Sequence, residues 1–391
     1  MNRLLAAVLA ALMLLSLTAC GEKSSPEAPV PPAQEEVPAV EPPPPSTEPE
    51  PIPDPVEELL SSMSLEEKVG QVFFVRCPAE SAVEDVSAYH LGGYILFGRD
   101  TKDKTANELI QIIQSYQDAA SVPLLIGVDE EGGTVVRVSS NPHLCSSKFQ
   151  SPQKLFAGGG MEAVTADAHE KDVLLDALGF NVNLAPVADV STDPGDFIYD
   201  RTFGQDAAAT ADYVSAVTDQ MAADGMGSML KHFPGYGDNE DTHTGIAVDD
   251  RPYEDFVNGD FLPFRTGMEA GGGTTAVLVS HNIVECMDAG LPASLSPSVH
   301  RILREELGFD GVVMTDDLAM DAVEAYAEDG AVAVMALEAG NDLVLTTDYR
   351  VQISKVIEAV ENGELDEAVI DAACRRVLRW KQALGLLEAV I

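Results

Sequence analysis

The chain has 391 residues, 46% of them hydrophobic, which suffices for a large buried core and argues against disorder throughout. Its 65 Asp and Glu residues against 23 Lys and Arg give a formal net charge of -42. A surface this acidic repels nucleic acids and anionic lipid headgroups, which excludes nucleic-acid binding. The 5 cysteines lack the spacings of a zinc site, so a structural zinc module is not expected.

Residues 1–20 have the features of a secretion signal. Arg3 precedes an apolar run from Leu4 to Leu17, which is shorter than the roughly 20 residues that span a bilayer. The run ends in Leu17-Thr18-Ala19-Cys20 and resembles the cleavage box of bacterial lipoproteins, in which the cysteine is lipidated and becomes the mature N-terminus. We therefore expect lipidation at Cys20 and an anchor in the cell membrane, on its extracytoplasmic face. A buried core helix is the alternative.

Residues 21–55 form a second region, rich in Pro, Glu, Ser and Ala. It has too few large apolar side chains to offset the entropy lost on ordering. Proline-rich sequence favours extended polyproline conformation. We expect a disordered, semi-rigid linker that holds a domain away from the membrane; a proline motif that binds a partner is the alternative.

From residue 56 onward, short apolar runs alternate with helical stretches. Ser64 and Glu67 form a capping box that predicts a helix start. Continuous apolar strands are typical of a parallel sheet that is buried on both faces. No GxGxxG fingerprint or phosphate loop follows the early strands, which disfavours a nucleotide-binding doubly wound sheet. The sequence predicts an α/β fold, a (β/α)8 TIM-type barrel over residues 56–391. The candidate strands are residues 72–75, 94–97, 124–128, 182–187, 227–230, 276–279, 311–314 and 342–345.

Polar residues follow many of these strands at the end where barrel active sites lie. Charged surface loops alone do not explain polar side chains that recur at the same end of successive strands. Arginine and lysine side chains also occur near these strand ends, although the chain has few of them. The residues are Asp129-Glu130-Glu131, Asp189, Lys231-His232, His281 and Asp316-Asp317, with Arg137 and Arg201.

The densest signal is the segment Lys231-His232-Phe233-Pro234-Gly235-Tyr236-Gly237-Asp238, which continues to Asp241-Thr242-His243. Its Pro and Gly residues predict a loop. In extended chain, residues two apart point the same way, so Asp241 can reach the ring of His243. A carboxylate on one ring nitrogen leaves the other nitrogen for proton transfer. An exposed histidine beside a chance acid is the alternative.

A second signal is the segment 308–317, where an apolar strand ends in Asp316 and Asp317. A rigid strand end is where a nucleophile that needs tight positioning would lie. Either aspartate could instead cap the next helix, and both roles can coexist. Spacing alone does not decide which aspartate attacks.

The motifs KHFPGYGDNEDTH, VDEEGGTVVR and GFDGVVMTDD resemble those of the family 3 glycoside hydrolases, in the β-N-acetylglucosaminidase branch. The likeness runs from about Leu59 to Leu387. It implies a retaining double displacement on a (β/α)8 barrel, without cofactor or metal. Asp316 matches the nucleophile, and His243, oriented by Asp241, matches the acid/base of this branch.

The resemblance also implies a substrate and the residues that bind it. The expected substrate is terminal β-linked N-acetylglucosamine, removed by exo-action from peptidoglycan fragments outside the cytoplasmic membrane; phosphate as acceptor in place of water stays open. The positions that match groups gripping the sugar hydroxyls and the N-acetyl group are Asp129, Arg137, Arg201, Lys231 and His232.

Two residues depart from the family pattern. Tyr236 stands where the loop usually has histidine, so altered loop packing is expected. Thr134 stands where arginine is common, which weakens the expected contact with the aglycone.

Three other functions are alternatives for this sequence. They are a different family 3 exo-β-glycosidase such as a glucosidase, a non-catalytic sugar-binding lipoprotein, and a metal enzyme that uses His232, Asp241 and His243.

Overall fold

The computed structural model describes residues 54–237, 239, 247–320, 323, 326 and 331–387. The predicted signal segment and Cys20 lie outside these residues, as does all of the predicted linker before Asp54. Asp241 and His243 also lie outside the described residues. Within the described part of the chain, no helix is long and apolar enough to cross a membrane.

Eight parallel strands form one sheet in which each strand pairs with its neighbours in the chain, and the first pairs with the eighth. The seventh and eighth strands also meet, because Thr315 N donates to Leu343 O at 3.1 Å, so the sheet closes. The predicted (β/α)8 barrel is thereby confirmed. In chain order, β1 to β8 are Phe73–Arg76, Gly93–Leu96, Leu125–Val128, Val182–Asn183, Gly227–Phe233, Thr275–Val279, Val313–Thr315 and Val344–Thr346.

Helices follow the strands and cover the barrel from outside. The α-helices are Pro55–Ser62, Leu65–Gln71, Ala82–Tyr89, Gly98–Thr101, Ala106–Ala119, Pro152–Leu178, Ala207–Asp224, Tyr253–Asp255, Phe261–Gly271, Pro297–Arg301, Val332–Ala339, Tyr349–Glu361 and Glu367–Ala383. Short 3-10 turns occur at Tyr199–Arg201, Gly272–Thr274 and Ala293–Leu295, and π turns at Phe256–Asp260 and Ile302–Glu306. Ser64 and Glu67 form the predicted capping box at the start of Leu65–Gln71.

Alternate residues of each strand face the barrel interior or the helices, as strand geometry requires. Phe74 packs in the inner cluster with Ile95, whereas its neighbours Phe73 and Val75 pack in the outer cluster. Gly127 on β3 leaves room for this ring, since a Cβ there would lie 2.5 Å from Phe74 Cζ. The interior is therefore a filled core, and the polar chemistry is confined to the strand ends.

The strand β4 is shorter than the run at residues 182–187 predicts. It covers Val182–Asn183, and the ladder resumes only at Val187, which pairs with Lys231. Pro186 has no N–H to donate, which accounts for the gap in the ladder. The small hairpin formed by Glu130–Gly132 and Val135–Val136 follows β3 and shapes the neighbouring rim.

Candidate active site

A cavity of about 580 Å³ opens at the carboxyl ends of the barrel strands. All of the predicted catalytic and substrate-binding residues that the structure describes line it, and they come from four different strands or the loops after them. These residues are Asp129, Arg137, Arg201, Lys231, His232 and Asp316. The structure therefore brings together groups that lie far apart in the sequence, at the position that barrel enzymes use for catalysis.

Charged groups of alternating sign line one wall of this cavity. Lys231 Nζ donates to Asp129 Oδ1 at 2.7 Å and lies 2.6 Å from Glu131 Oε1. Arg201 donates to the same carboxylate through Nε, at 3.0 Å, and through Nη2, at 2.8 Å. The Glu131 carboxylate is thus held by two cations, one of them bidentate. Glu131 was not a predicted site residue, although it lies in the acidic run after β3.

Burial and charge act in opposite directions on these groups. Burial by itself raises the pKa of Glu131, but Arg201 and Lys231 outweigh it and hold the pKa well below its usual range. Burial lowers the pKa of Lys231, but Asp129 and Glu131 outweigh it, so that this pKa is raised. Glu131, Lys231 and Arg201 are therefore charged at neutral pH, which gives a fixed row of donors and acceptors for hydroxyl groups.

His232 is held in one tautomer by its neighbours. Its Nδ1 lies 2.7 Å from Asp189 Oδ2, and a carboxylate oxygen accepts, so Nδ1 carries the hydrogen. Its Nε2 lies 3.2 Å from Arg201 Nη2, which donates to it. Asp189 is fully buried and also accepts from the backbone N–H of Tyr236 at 2.8 Å. This network fixes the imidazole against the charged wall.

Tyr236 packs as a buried ring beside His232. Its ring centroid lies 5.7 Å from that of His232, edge to face, and 5.8 Å from that of the exposed Phe197. The backbone of the preceding Gly235 has φ of 129° and passes so close to Asp260 that a Cβ would lie 2.2 Å from Asp260 Oδ1. Tyr236 thus holds this part of the loop through aromatic contacts with Phe197 and His232.

Glu130 positions the loop that carries Arg137. This carboxylate is fully buried and accepts from the backbone N–H groups of Arg137, at 2.8 Å, and Val138, at 2.7 Å. The Nε of Arg137 is buried and has no hydrogen-bond partner among the described residues. Thr134, on the same loop, is exposed and does not line the cavity. Glu130 thus fixes the backbone that places Arg137 at the cavity.

Arg76 is a site residue that the sequence reasoning missed. It ends β1, lines the cavity and places its guanidinium 4.4 Å from the centroid of the Phe97 ring. Its buried Nε has no hydrogen-bond partner among the residues that the structure describes. Its place directly after an apolar strand is the signal that would have found it, by the rule applied to the other strand ends.

The two aspartates after β7 have different surroundings. Asp317 caps the next turn, because its Oδ1 accepts from Ala319 N at 3.0 Å and its Oδ2 accepts from Thr347 Oγ1 at 3.0 Å. Burial raises the pKa of Asp317. Both aspartates line the cavity, and Asp316 Oδ1 accepts from Asp317 N at 2.8 Å. The capping role thus belongs to Asp317, which favours Asp316 as the reacting carboxylate.

Comparisons with known sequences identify the family. The family model described as glycosyl hydrolase family 3 N terminal domain matches residues 64–380. The beta-hexosaminidase LpqI of Mycobacterium tuberculosis is 32% identical over 333 residues, which cover 82% of this chain and 83% of that protein. A beta-hexosaminidase of Xanthomonas campestris is 32% identical over 301 residues, 75% of this chain and 88% of that protein.

Solved structures share the fold. A glycoside hydrolase family 3 beta-N-acetylglucosaminidase from Paenibacillus superposes with a TM-score of 0.77 at 31% identity, over 84% of this chain and 64% of that one. This chain therefore spans less than two thirds of that relative. A family 3 glycosyl hydrolase from Mycobacterium smegmatis superposes with a TM-score of 0.72 at 32% identity, over 81% and 97% of the two chains. The family resemblance of the motifs is thus confirmed: the chain is a glycoside hydrolase and belongs to glycosyl hydrolase family 3.

Proposed function

We propose that the protein is a retaining exo-β-N-acetylglucosaminidase that acts on peptidoglycan fragments. The observation that carries the proposal is the convergence of Asp316 with the charged wall of Asp129, Lys231, Glu131 and Arg201 in one cavity. Relatives named beta-hexosaminidase and beta-N-acetylglucosaminidase support the same substrate. A glucosidase of the same family is the second candidate.

The shape of the cavity suits removal of a terminal sugar. Its floor consists of apolar side chains of the filled barrel interior, so a glycan cannot pass through. One sugar ring can descend until its hydroxyls meet the charged wall, while the rest of the glycan stays outside. These floor residues are Ile95, Leu184, Leu278 and Leu345.

In the proposed mechanism, Asp316 attacks the anomeric carbon through an oxocarbenium-like transition state and forms a glycosyl-enzyme. His243, oriented by Asp241, protonates the leaving oxygen and then takes a proton from the incoming water. A histidine with a reference pKa of about 6.5 suits both steps near neutral pH. Lys231, Arg201 and Asp129 hold the sugar hydroxyls, so that the ring is oriented before attack.

A substrate panel tests this activity. The protein is expected to release 4-nitrophenol from the N-acetyl-β-glucosaminide and little from the β-glucoside, with the β-anomer of the free sugar formed first in NMR spectra. Equal or greater turnover of the glucoside would support the glucosidase instead. First appearance of the α-anomer would exclude the retaining mechanism.

Arg76 supports an acidic aglycone. In a chain of net charge -42, the Arg76 guanidinium, which forms no ion pair with any described residue, attracts anions that the rest of the surface repels. N-acetylmuramic acid is N-acetylglucosamine with an added lactyl carboxylate, a group that arginine binds well. Peptidoglycan fragments place this sugar directly after the terminal N-acetylglucosamine.

The aglycone proposal is tested by Arg76→Met in the same panel, with N-acetylglucosaminyl-N-acetylmuramic acid compared with diacetylchitobiose. Loss of one charge-assisted hydrogen bond should lower kcat/KM for the muramic disaccharide about tenfold, with little change for chitobiose. The chitobiose serves as control because it lacks only the lactyl group. An equal loss for both disaccharides would contradict a role of Arg76 in recognising the carboxylate.

We further propose that Cys20 is lipidated and holds the domain at the extracytoplasmic face of the cell membrane. The support is the apolar run that ends at Cys20 and the proline-rich segment that follows it. In a bacterial host, the full chain should fractionate with membranes and Cys20→Ala should not. Membrane association of both proteins would show that the anchor lies elsewhere.

A further inference from the structure

His281 lies directly beyond β6, next to the strand that carries the aspartates, and has no part in the proposed mechanism. It is fully buried. Its Nε2 lies 3.1 Å from the backbone oxygen of Asp317, and because a carbonyl accepts, Nε2 carries the hydrogen. Its Nδ1 lies 2.7 Å from Ser294 Oγ. Both ring nitrogens are thus engaged, which fixes the ring.

The residue that anchors this ring is itself held. Ser294 is fully buried, its N–H donates to Ser280 O at 3.0 Å, and its carbonyl accepts from Asn341 Nδ2 at 2.8 Å. The 3-10 turn at Ala293–Leu295 therefore forms a rigid support for the imidazole. Because the imidazole also contacts the Asp317 carbonyl, this rigid support constrains the turn after β7.

The Asp316–Asp317 turn is where small displacements matter most. The N–H of Asp317 donates to Asp316 Oδ1 at 2.8 Å and thereby sets the direction of that carboxylate. The Asp317 residue is in turn fixed through its backbone oxygen by His281 and through its side chain by Ala319 and Thr347. The carbonyl held by His281 and the N–H that contacts Asp316 belong to the two peptide groups joined at the Asp317 Cα. A shift of the carbonyl therefore turns the residue about this Cα and moves the N–H, and with it the Asp316 carboxylate.

We infer that His281 is a positioning residue, whose Nε2–H bond to the Asp317 carbonyl holds the Asp316 carboxylate in its attacking geometry. The inference rests on the proposed role of Asp316 as nucleophile. His281 is held away from solvent and does not line the cavity, so it acts through Asp317 and not on the sugar.

Two isosteric variants test this role. His281→Gln keeps an N–H donor near the position of Nε2, whereas His281→Asn keeps one only near Nδ1. With 4-nitrophenyl N-acetyl-β-glucosaminide, His281→Asn should lower kcat on the order of 10²-fold with KM within about twofold, since misplacement by about 1 Å has an effect of this size. His281→Gln should stay within about fivefold of wild type in kcat.

Controls separate positioning from folding. His300 is buried like His281, but its Nδ1 lies 2.9 Å from Ser296 O on a helix away from the cavity, so His300→Gln should lower the Tm and leave kcat unchanged. Should His281→Asn fail to fold, Ser294→Ala, which frees the ring, should still lower kcat without raising KM. Equal kcat for the Asn and Gln variants, or a loss confined to KM, would overturn the inference. Failure of wild type to act on the N-acetylglucosaminide would instead reject the proposed function.

Discussion

An Asp316→Asn variant is expected to lose turnover of 4-nitrophenyl N-acetyl-β-glucosaminide by at least about 10³-fold in kcat. An amide does not form the glycosyl-enzyme, so the first step of the double displacement is blocked. The substitution keeps the size of the side chain, and the amide oxygen can still accept from Asp317 N–H, which lies 2.8 Å from Asp316 Oδ1. The loss should therefore reflect chemistry and not folding.

Asp317→Asn is the matched control. Its Oδ1 can still accept from Ala319 N, and the new amide N–H can donate to Thr347 Oγ1, so the turn is kept. We expect a loss below about tenfold in kcat. Near-normal turnover by Asp316→Asn together with an inactive Asp317→Asn would assign the attack to Asp317.

A small nucleophile provides an independent check. In Asp316→Gly, added azide can occupy the space of the lost carboxylate and attack from the same face of the sugar. The expected product is the α-configured glycosyl azide, identified by NMR. A β-configured azide would mean that the attacking group lies on the other face, and Asp316 would then not be the nucleophile.

Glu131→Gln is expected to have the second largest effect, about 10²-fold in kcat/KM and about 3 kcal/mol in the free energy of unfolding. Glu131 is buried and neutralises Arg201 and Lys231, which lie 2.6–3.0 Å away. In the glutamine variant, the Arg201 and Lys231 cations lie close together without the Glu131 charge between them. The new amide N–H points at these two cations, and neither of them can accept a hydrogen bond. Lys231 and Arg201 should then move away from the sugar, which raises KM.

Glu57→Gln serves as the control, since Glu57 forms an exposed ion pair with Arg375 at 2.8 Å. Exposed pairs contribute little, so the loss in the free energy of unfolding should stay below about 1 kcal/mol, with kcat/KM unchanged. A similar loss of stability in both variants would show that the buried position of Glu131 confers no special effect.

The difference in stability between wild type and Glu131→Gln should depend on pH in one direction. The pKa of Glu131 in the folded protein is held below its usual range, so its contribution to stability is complete above about pH 4.3 and is lost as the pH falls below that value. Urea unfolding at about pH 7 and about pH 3.5 should show the difference between wild type and Glu131→Gln shrinking at the lower pH. A difference that grows on acidification would contradict the ionised state of Glu131.

Much of the fold could be predicted from local patterns. Runs of Val, Ile and Leu between turn residues marked all eight barrel strands, because a strand buried on both faces needs continuous apolar sequence. The sequence prediction departs from the structure at two strands. Pro186 interrupts the ladder after β4, and β5 continues through Phe233, so Lys231 and His232, which were predicted to lie in a loop, are part of the strand. Four thiols, at Cys77, Cys145, Cys286 and Cys374, are free in the structure.

The sequence by itself determined the barrel, the strand ends that carry polar residues and, through its motifs, the family. Only the tertiary structure decided which charges meet. Lys231 and Asp129 are 102 residues apart and pair because barrel closure brings their strand ends side by side. The hydrogen bond between Thr347 and Asp317, the two ion pairs of Glu131 and the place of Arg76 in the cavity depend on the same closure. Strand formation follows from neighbouring residues, whereas ion pairs and hydrogen bonds depend on distances in space that no local pattern encodes.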